Sequence, residues 1–581
     1  MSRIVMFGIV SLLPSAVSSL LMAEDLLVPE KYQTIQAAID AANAGDTVLV
    51  KPGTYPERIQ LRPGITLRST GGDARGKTGL RRAEATIIDG GGASGDGAGV
   101  EMAEGSVLDG FSVRNVGIYD EKTWDVHYST NGEDQDYDHI GAPGIAGIAA
   151  TGVNCRILNN LVYYVGYTGI AVSGSEGSTA TAVVESNTCY RNMGGGIGAM
   201  RGARAVIRKN ICYENFYAGI GHADASPTVE SNECYGNIRA GIGISEGSSP
   251  LVRGNRCYGN RRAGIGIRTG SDTKPVVENN ECYDNEYAGI GTREEASPTI
   301  RNNKCYRNGM AGIGSRTGAT PTITGNECYE NKKSGIGQMS GCRTILTDNY
   351  LHHNGTSGIG FEAGEDGESM VRGNRVIDNA MVAAGVNEGW DVVFEGNELS
   401  REGGLPPIVM VFAGSSATFR DNTIRGGGVA GIRASGQVTA DGNRFEGTSF
   451  RAGGPPNFAV WGLPGSKIRL SNNEVSGWRH AISADQSTVE VQNNRVTHSS
   501  RAAVSISKPV GVPVVAGNML TPSKRGDVVA LVDGKPYGVS ENQVSAELAV
   551  APAAKAIGPG GPPPGRGPGS QRGRGGRPQG K

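Results

Sequence analysis

The sequence predicts an all-β fold in which short strands wind into a solenoid of stacked coils. From Asn187 to Asn331 the pattern Asn-x-Cys-Tyr-x-Asn, followed by Gly-Ile-Gly, recurs about every 23 residues. Self-similar units of this length are typical of repeat architectures. The 581 residues also contain 91 glycines and only 6% aromatic residues, which is too glycine-rich for helical bundles. One elongated domain therefore fits the chain better than several compact ones.

Each repeat contains three short strands. Polar and apolar residues alternate around Cys234 and again over residues 240–244, and Pro227-Thr228-Val229 supplies a third short strand. Period-2 alternation broken by turn residues is the signal of strands. Three strands per repeat, stacked in parallel from one repeat to the next, give a parallel β-helix.

Charges at two repeat positions support in-register stacking. Opposite charges that face each other on paired strands stabilise by a few tenths of a kcal/mol, and like charges cost about as much. The sign changes at every repeat in both columns, which are Arg208, Glu230, Arg253, Glu278 and Arg301, and Glu233, Arg256, Glu281, Lys304 and Glu327. Two independent columns agree, so we expect repeat-equivalent residues to be spatial neighbours.

Cysteine, tyrosine and asparagine would then form columns along the rod. Neighbouring strands lie about 4.8 Å apart, whereas a disulfide needs Cβ atoms about 3.8 Å apart. Thiols arranged in a line also cannot converge on one zinc ion. We therefore expect buried free thiols. Cys155 and Cys342 lie outside this register. The outward tyrosines form either a stabilising ladder or a platform for sugars. The columns are Cys189, Cys212, Cys234, Cys257, Cys282, Cys305 and Cys328; Tyr190, Tyr213, Tyr235, Tyr258, Tyr283, Tyr306 and Tyr329; and Asn187, Asn210, Asn232, Asn255, Asn280, Asn303, Asn326, Asn349 and Asn374.

The two ends of the chain differ from the repeats. Residues 1–23 carry an apolar run typical of a secretory signal peptide, with an uncleaved anchor as the alternative. A helix over about residues 33–43 has one apolar face and would cap the β-helix of residues 24–548. Residues 549–581 are rich in Gly, Pro and Arg, which predicts a disordered tail. We therefore expect an exported protein, periplasmic, at the cell surface or extracellular, with no transmembrane segment in the mature chain.

A family resemblance adds the handedness of the fold. Residues 34–36, 44–50 and 52–55, followed by Asn- and Gly-Ile-rich repeats, resemble the exported right-handed parallel β-helix proteins related to pectate lyases and to the carbohydrate-binding and sugar-hydrolase β-helix group. The resemblance covers about residues 30–520. It implies a right-handed parallel β-helix, and it implies no single reaction, because such folds support lyases, hydrolases, epimerases and proteins without a known reaction.

An acidic insertion over residues 117–143 interrupts the repeats. Asp134, Asp136 and Asp138 stand on alternate residues, a spacing that can bind Ca²⁺, the one cofactor that the sequence predicts; the alternative is a solvated acidic loop. The candidate acid and base groups for proton abstraction next to a uronate carboxylate are Asp125, His127, Tyr128 and His139, and the alternative is that each histidine only supports the loop. The pair Asp125 and His127 faintly resembles the Asp-Pro-His-Glu of alginate epimerases, with Pro and Glu both missing.

Basic residues recur beside Gly-Ile-Gly. Arg268, Arg293 and Arg316 occupy one position in consecutive repeats, and Arg262 and Lys333 lie in neighbouring turns. Guanidinium groups suit uronate or sulfate groups. An unrelieved column of like charge needs an anionic ligand or side partners such as Glu294, and the alternative is a solvated stripe.

Two functional hypotheses follow from these features. The first is an exported protein that binds an acidic polysaccharide and, if it is catalytic, modifies it by β-elimination or epimerisation. The second is a non-catalytic cell-surface or matrix module. A net charge of −1 gives no overall attraction to nucleic acid, and we expect no nucleic-acid partner. The sequence does not fix the oligomeric state.

Overall fold

The computed structural model describes residues 25–93, 96–130, 145–339, 341–403, 405–448, 457–499, 501–521 and 530–544. The predicted signal peptide, the predicted tail and residues 131–144 of the acidic insertion lie outside these ranges. Within them the chain is a parallel β-solenoid, which confirms the predicted fold class. None of the described helices is both long enough and apolar enough to cross a bilayer.

Three parallel sheets run the length of the rod, and each coil contributes one strand to each sheet. Sheet A consists of the strands Asp25–Val28, Thr47–Val50, Thr66–Ser69, Val107–Asp109, Arg156–Leu158, Val183–Glu185, Val206–Arg208, Thr228–Glu230, Leu251–Arg253, Val276–Glu278, Thr299–Arg301, Thr322–Thr324, Arg343–Thr347, Gly367–Arg372, Trp390–Glu395, Ser416–Arg420, Gln437–Asp441, Lys467–Ser471, Thr488–Gln492 and Val514–Ala516. Sheet B consists of Gly53–Tyr55, Thr86–Gly92, Ser112–Val116, Leu161–Tyr163, Thr188–Tyr190, Ile211–Tyr213, Glu233–Tyr235, Arg256–Tyr258, Glu281–Tyr283, Lys304–Tyr306, Glu327–Tyr329, Tyr350–His352, Arg375–Ile377, Glu398–Arg401, Thr423–Gly426, Arg444–Gly447, Glu474–Ser476, Arg495–Thr497, Met519–Leu520 and Gln543–Val544.

Sheet C follows sheet B in each coil. Its strands are Ile59–Gln60, Val100–Glu101, Ile148–Thr151, Ile170–Ser173, Ile197–Met200, Ile220–Ala223, Ile242–Ser245, Ile265–Ile267, Ile290–Thr292, Ile313–Ser315, Ile336–Gln338, Ser357–Phe361, Val382–Val386, Val409–Val411, Ala430–Ala434, Phe458–Gly462, His480–Asp485, Val504–Ser507, Ala530–Val532 and Lys535–Tyr537. The last two of these strands pair antiparallel, in contrast to the parallel pairing of the preceding strands.

The described ranges contain three short α-helices outside the sheets: α1 (Ile35–Ala41), α2 (Arg81–Ala85) and α3 (Glu121–Ser129). A 3-10 turn spans Val539–Glu541. The side chain of Thr34 caps α1 by accepting from the N–H of Ala37, and Ile35 and Ile39 are buried. The predicted helix is therefore present over a shorter range. Its role as the lid of the rod stays a prediction.

Each strand contributes one or two side chains to the interior of the rod. The centre of each sheet B strand between Thr188 and Tyr329 is a buried cysteine, in register with the cysteines of the coils before and after it. All cysteines are buried and unbridged in the described part of the chain, as predicted. Isoleucine fills the equivalent interior positions of sheet C. A small residue on one sheet faces a large one on another, which suits close packing.

Two asparagine ladders hold the turns on either side of sheet B. In each ladder the side-chain amide donates to the side-chain oxygen of the next coil, at 2.8–3.0 Å. The first ladder confirms the prediction and extends it beyond the regular repeats: Asn160, Asn187, Asn210, Asn232, Asn255, Asn280, Asn303, Asn326, Asn349, Asn374, Asn397, Asn422, Asn443, Asn473, Asn494, Asn518 and Asn542. The second contains Asn192, Asn215, Asn237, Asn260, Asn285, Asn308, Asn331, Asn354 and Asn379.

The alternating charges pair as the sequence predicts. On sheet A, Arg253 lies 2.7 Å from the carboxylate of Glu230, and Arg301 lies 2.5 Å from Glu278. On sheet B, Lys304 lies 3.2 Å from Glu327. These ion pairs sit at the surface, so each contributes at most about 1 kcal/mol, and their alternation favours the observed register over a shifted one.

Candidate functional site

The outer face of sheet C is a strip of bare backbone. The residue between the two inward side chains of each strand is glycine over nine successive coils, each in register with the next. The ninth, Gly385, is buried. The first eight are partly exposed and form the glycine floor: Gly198, Gly221, Gly243, Gly266, Gly291, Gly314, Gly337 and Gly360. With a coil rise of about 4.8 Å, this glycine floor is about 34 Å long.

Packing does not require most of these outward glycines; the exception is Gly360, where an added Cβ would lie 2.8 Å from Ser334 Oγ and 2.9 Å from Ser357 Oγ. A Cβ added at Gly221 would meet no atom within 4 Å, and one at Gly266 would meet only the Cβ of Ala240 at 3.6 Å. The inward Gly219, by contrast, would place a Cβ 2.8 Å from the carbonyl oxygen of Gly241. Glycine in a strand weakens it and often marks close approach of a ligand. Packing within the rod therefore does not explain why the second residue of most Gly-Ile-Gly strands lacks a side chain.

Basic side chains flank the glycine floor on both edges. Arg262 precedes the strand Ile265–Ile267 and Arg268 follows it, so one coil has an arginine before and after the strand that contains Gly266. Arg268, Arg293 and Arg316 stack in consecutive coils, as the backbone bonds from Arg293 N to Ile267 O and from Arg316 N to Thr292 O show. Lys333 lies on the same edge as Arg262, three coils farther along. The structure thus brings all five predicted basic residues to the two edges of one face.

An acidic side chain offsets part of this positive charge. Arg293 Nε lies 3.1 Å from Glu294 Oε1, and Glu294 Oε2 accepts from the hydroxyl of Thr269 at 3.1 Å. Glu294 is the side partner that the sequence indicated. Arg316 and Lys333 are exposed, whereas Arg268 and Arg293 are half-buried. The positive charge of this column is therefore exposed to solvent at Arg316 and partly covered at Arg268 and Arg293.

The tyrosine column of sheet B lies beside this face. Successive rings from Tyr163 to Tyr329 and on to His352 are 4.9–5.1 Å apart between centroids and within 2–10° of parallel. Each ring face is covered by its neighbours, so only ring edges and hydroxyl groups reach solvent. A sugar platform needs an open ring face, and the geometry therefore favours the structural ladder.

The insertion contains a helix that packs on the rod. Asp120 caps α3 by accepting from the N–H groups of Lys122 and Thr123. Trp124 is buried, stacks on Tyr128 at 4.7 Å, and donates from Nε1 to the carbonyl oxygen of Glu214 at 2.9 Å. It packs with the apolar side chains of the turns below it, which are Met193, Phe216 and Ile238.

Two arginines of the rod cover the aromatic face of α3. The guanidinium of Arg191 lies 4.0 Å from the Trp124 ring centroid, and that of Arg261 lies 4.2 Å from the Tyr128 centroid. Arg191 also pairs with Glu214 at 3.0 Å, and this carboxylate contact raises the pKa of the Arg191 guanidinium. Cation–π contacts of this kind contribute about 0.5–2 kcal/mol each. The helix is therefore fixed to the rod from several directions.

The helix separates two of the predicted catalytic residues, Asp125 and His127. His127 is buried, edge-on to the Phe216 ring at 4.9 Å, and Tyr128 is stacked on Trp124, whereas Asp125 is exposed. Residues three and four apart share a helix face, and residues one and two apart do not, so Asp125 and His127 point in different directions. His139, Asp134, Asp136 and Asp138 lie outside the described residues. The described part of the chain contains no group of three or more His, Cys, Asp or Glu side chains that could hold a metal ion.

Comparisons with known proteins agree with the coil architecture. A family model for the right-handed β-helix region matches residues 144–275 and 264–399. The protein is a right-handed parallel β-helix repeat protein. This confirms the predicted fold, including its handedness. No curated protein matches the chain.

Several solved structures resemble this β-helix at low identity. The A-module of mannuronan C-5 epimerase AlgE4 from Azotobacter vinelandii has a TM-score of 0.31 at 14% identity, covering 73% of this chain and 94% of that one. A double mutant of the periplasmic alginate epimerase AlgG has a TM-score of 0.35 at 13% identity, covering 60% and 74%. A mutant of the PL6 family alginate lyase AlyGC has a TM-score of 0.28 at 10% identity, covering 90% and 99%. These values assign neither a reaction nor a ligand to this chain.

Proposed function

We propose that the protein binds an acidic polysaccharide lengthwise along the outer face of sheet C. The observation that carries the proposal is the glycine floor, which has no side chains over eight coils, is not required by packing at most of its positions, and has basic residues on both edges of its central coils. A floor without side chains lets an extended polymer approach the backbone. Guanidinium groups on its edges pair with carboxylate or sulfate groups, often through two parallel hydrogen bonds.

The regular spacing of the site favours a polymer over a small anion. Arg268, Arg293 and Arg316 repeat with the coil rise of about 4.8 Å, so the column spans about 10 Å of the rod axis. On the opposite edge, Arg262 and Lys333 lie three coils apart, about 14 Å, with Tyr287 and Met310 between them. A single small ligand would meet only one or two of these groups. A chain with one charge per sugar ring would meet several at once.

Binding is better supported than a reaction. Asp125 and His127 face different directions on α3, and His127 is buried against Phe216. Neither group lies on the glycine floor itself, which begins at Gly198; α3 packs on the turns that precede sheet C in the coil, against Phe216 and Arg261. Uronate β-elimination or epimerisation is therefore the second possibility, and it depends on residues 131–144 for His139 and for calcium at Asp134, Asp136 and Asp138.

We also infer export, because residues 1–23 have the composition of a secretory signal. Acidic polysaccharides are met outside the cytoplasm, so the proposed ligand and the proposed location are consistent. Fractionation of cells that express the full chain checks this inference. The inference would be contradicted if the protein were found in the cytoplasmic fraction with its first 23 residues still attached.

The binding test compares two variants with the same change in net charge. The groove variant carries Arg268→Ala, Arg293→Ala and Arg316→Ala, and the control carries Arg372→Ala, Arg420→Ala and Arg469→Ala on sheet A. Exposed ion contacts contribute about 0.5–1 kcal/mol each, so the groove variant should bind alginate, polygalacturonate or ulvan about 10- to 100-fold more weakly. The control should bind like the wild type, and none of the proteins should bind neutral dextran. Equal loss in both variants would refute a specific groove.

A second variant tests the floor without changing charge. Gly266→Val adds a side chain at a position where a Cβ meets only ordinary contacts, so the fold should persist. Weaker binding of the polyuronate in this variant would confirm that the bare backbone matters. Ultraviolet absorbance of newly formed unsaturated uronates, followed in the same samples, distinguishes a lyase from a protein that only binds.

A further inference from the structure

Two adjacent histidines lie where the tyrosine column of sheet B ends. His352 occupies the ring position of the column, one coil after Tyr329, and His353 begins the following turn in the left-handed region, with a φ of 54°. Their rings are nearly perpendicular, at 89°, and the two Nδ1 atoms approach to 2.9 Å. The two Nδ1 atoms share a hydrogen bond at the surface of the rod, one donating and the other accepting according to the tautomer, and a metal ion that binds both must replace the proton between them.

The separation of these nitrogens fits two ligands of one metal ion. Metal–nitrogen bonds to imidazole are about 2.0–2.1 Å long. Two such bonds that end on atoms 2.9 Å apart enclose an angle of about 90°. Tetrahedral zinc, with an angle near 109°, would need about 3.3 Å. The pair therefore matches the adjacent positions of a square-planar or octahedral ion, the geometry of Cu²⁺ and Ni²⁺.

The surrounding residues hold His352 in place. The ring of His352 stacks on Tyr329 at 5.1 Å and on Tyr350 at 4.2 Å, and its side chain is only 15% exposed. Asn354, in the second asparagine ladder, donates to the carbonyl oxygen of His352 at 3.2 Å. Sites on rigid elements keep their geometry without ligand. His352 is therefore held in place before a metal binds, and His353 is open to solvent.

An acidic residue stands where a second-sphere partner belongs. The Nε2 of His352 lies 3.6 Å from Glu327 Oε1, and Glu327 is held by Lys304 at 3.2 Å. A metal-bound imidazole usually donates its other N–H to a carboxylate, which fixes the tautomer and strengthens the ligand. With the metal on Nδ1, the proton of His352 must sit on Nε2, the atom that faces Glu327.

We propose that His352 and His353 form an open two-histidine site for a divalent late transition metal, with Cu²⁺ preferred over Ni²⁺. Imidazole suits both ions, and Cu²⁺ binds more tightly in the general order of affinities. The remaining coordination positions face solvent on the side of His353. This proposal is independent of the polysaccharide groove.

The test uses tag-free protein, stripped of metal and titrated with Cu²⁺ by calorimetry and by electron paramagnetic resonance. Wild type should bind one tight Cu²⁺ with coupling to two nitrogens. His353→Gln should weaken this binding at least tenfold, as should His352→Phe, which keeps a ring in the stack. Circular dichroism confirms that each variant folds.

A third histidine supplies the matched control. His498 is exposed and occupies the equivalent turn position of a later coil, with a φ of 56°, but Thr497 precedes it in place of a histidine. His498→Gln should bind Cu²⁺ like the wild type. Unchanged Cu²⁺ affinity in both His352→Phe and His353→Gln, or coupling to a single nitrogen in the wild type, would overturn the proposal.

Discussion

Replacing one ladder asparagine should destabilise the rod far more than its size suggests. Asn280 is buried, and its Oδ1 accepts from both the backbone N–H and the side-chain amide of Asn255, each at 2.9 Å. Its own amide donates to the carbonyl oxygen of Val252 and to Asn303 Oδ1, each at 3.0 Å. Asn280→Ala removes all four hydrogen bonds while it deletes only a few atoms.

The cost follows from what the substitution leaves behind. The backbone N–H of Asn255 is left buried without an acceptor, which costs about 1–3 kcal/mol. The three other bonds contribute about 0.5–1.5 kcal/mol each in net terms. The free energy of unfolding should therefore fall by about 3–7 kcal/mol, well above the usual effect of a single substitution.

Urea unfolding and hydrogen exchange measure this loss. Because repeat arrays open locally, exchange should accelerate most in the peptides that contain Asn255 and Asn303. The control is Asn279→Gly at the neighbouring exposed position, where the backbone is left-handed, with a φ of 55°, and glycine fits. A loss for Asn280→Ala within about 1 kcal/mol of the control would refute the reasoning.

Three further predictions concern the interior. Gln338 is fully buried between Ser315 and Phe361, and neither of its amide atoms has a hydrogen-bond partner in the described chain; Gln338→Met should raise the free energy of unfolding by about 1–3 kcal/mol in urea titrations, whereas Gln437→Met at an exposed position of sheet A should not. Burial lowers the pKa of His222 from 6.5 to about 4. Between these pH values the unfolded chain binds a proton at this histidine and the folded chain does not, so about 3 kcal/mol of stability is lost as the pH falls from about 6.5 to about 4. His222→Leu should abolish that part of the pH dependence of unfolding. Burial raises the pKa of Cys212 and Cys234 well above the usual value; iodoacetamide at mildly alkaline pH should label neither thiol in the folded protein and both in urea, and rapid labelling without unfolding would contradict the stacked interior.

The sequence predicts the rod well because repeat-equivalent residues become neighbours. The order Asn187, Cys189 and Tyr190 already determines a ladder, an interior thiol and an outward ring, since side chains alternate along a strand. The second ladder, which begins at Asn192, was present in the same motif, and it was missed because only the first asparagine was interpreted as a ladder residue. Spacing predicts which residues stack but not every bond that they make.

The site was harder to predict because it depends on what glycine leaves open. Gly219 and Gly221 look alike in Gly-Ile-Gly, yet one is forced by a neighbouring backbone and the other is not. The difference between these two glycines is visible only in the folded structure. The helix of the insertion was missed as well: Asp120 caps it, and Trp124, His127 and Tyr128 stand three and four residues apart, the period of one helix face.

A crystal structure with a bound oligouronate tests the central claim most directly. The account predicts an extended sugar chain over the glycine floor, parallel to the rod axis, with carboxylates within hydrogen-bond distance of at least two of Arg268, Arg293 and Arg316. Sugar bound at another face of the coil, with the floor from Gly243 to Gly314 empty at saturating ligand, would contradict it.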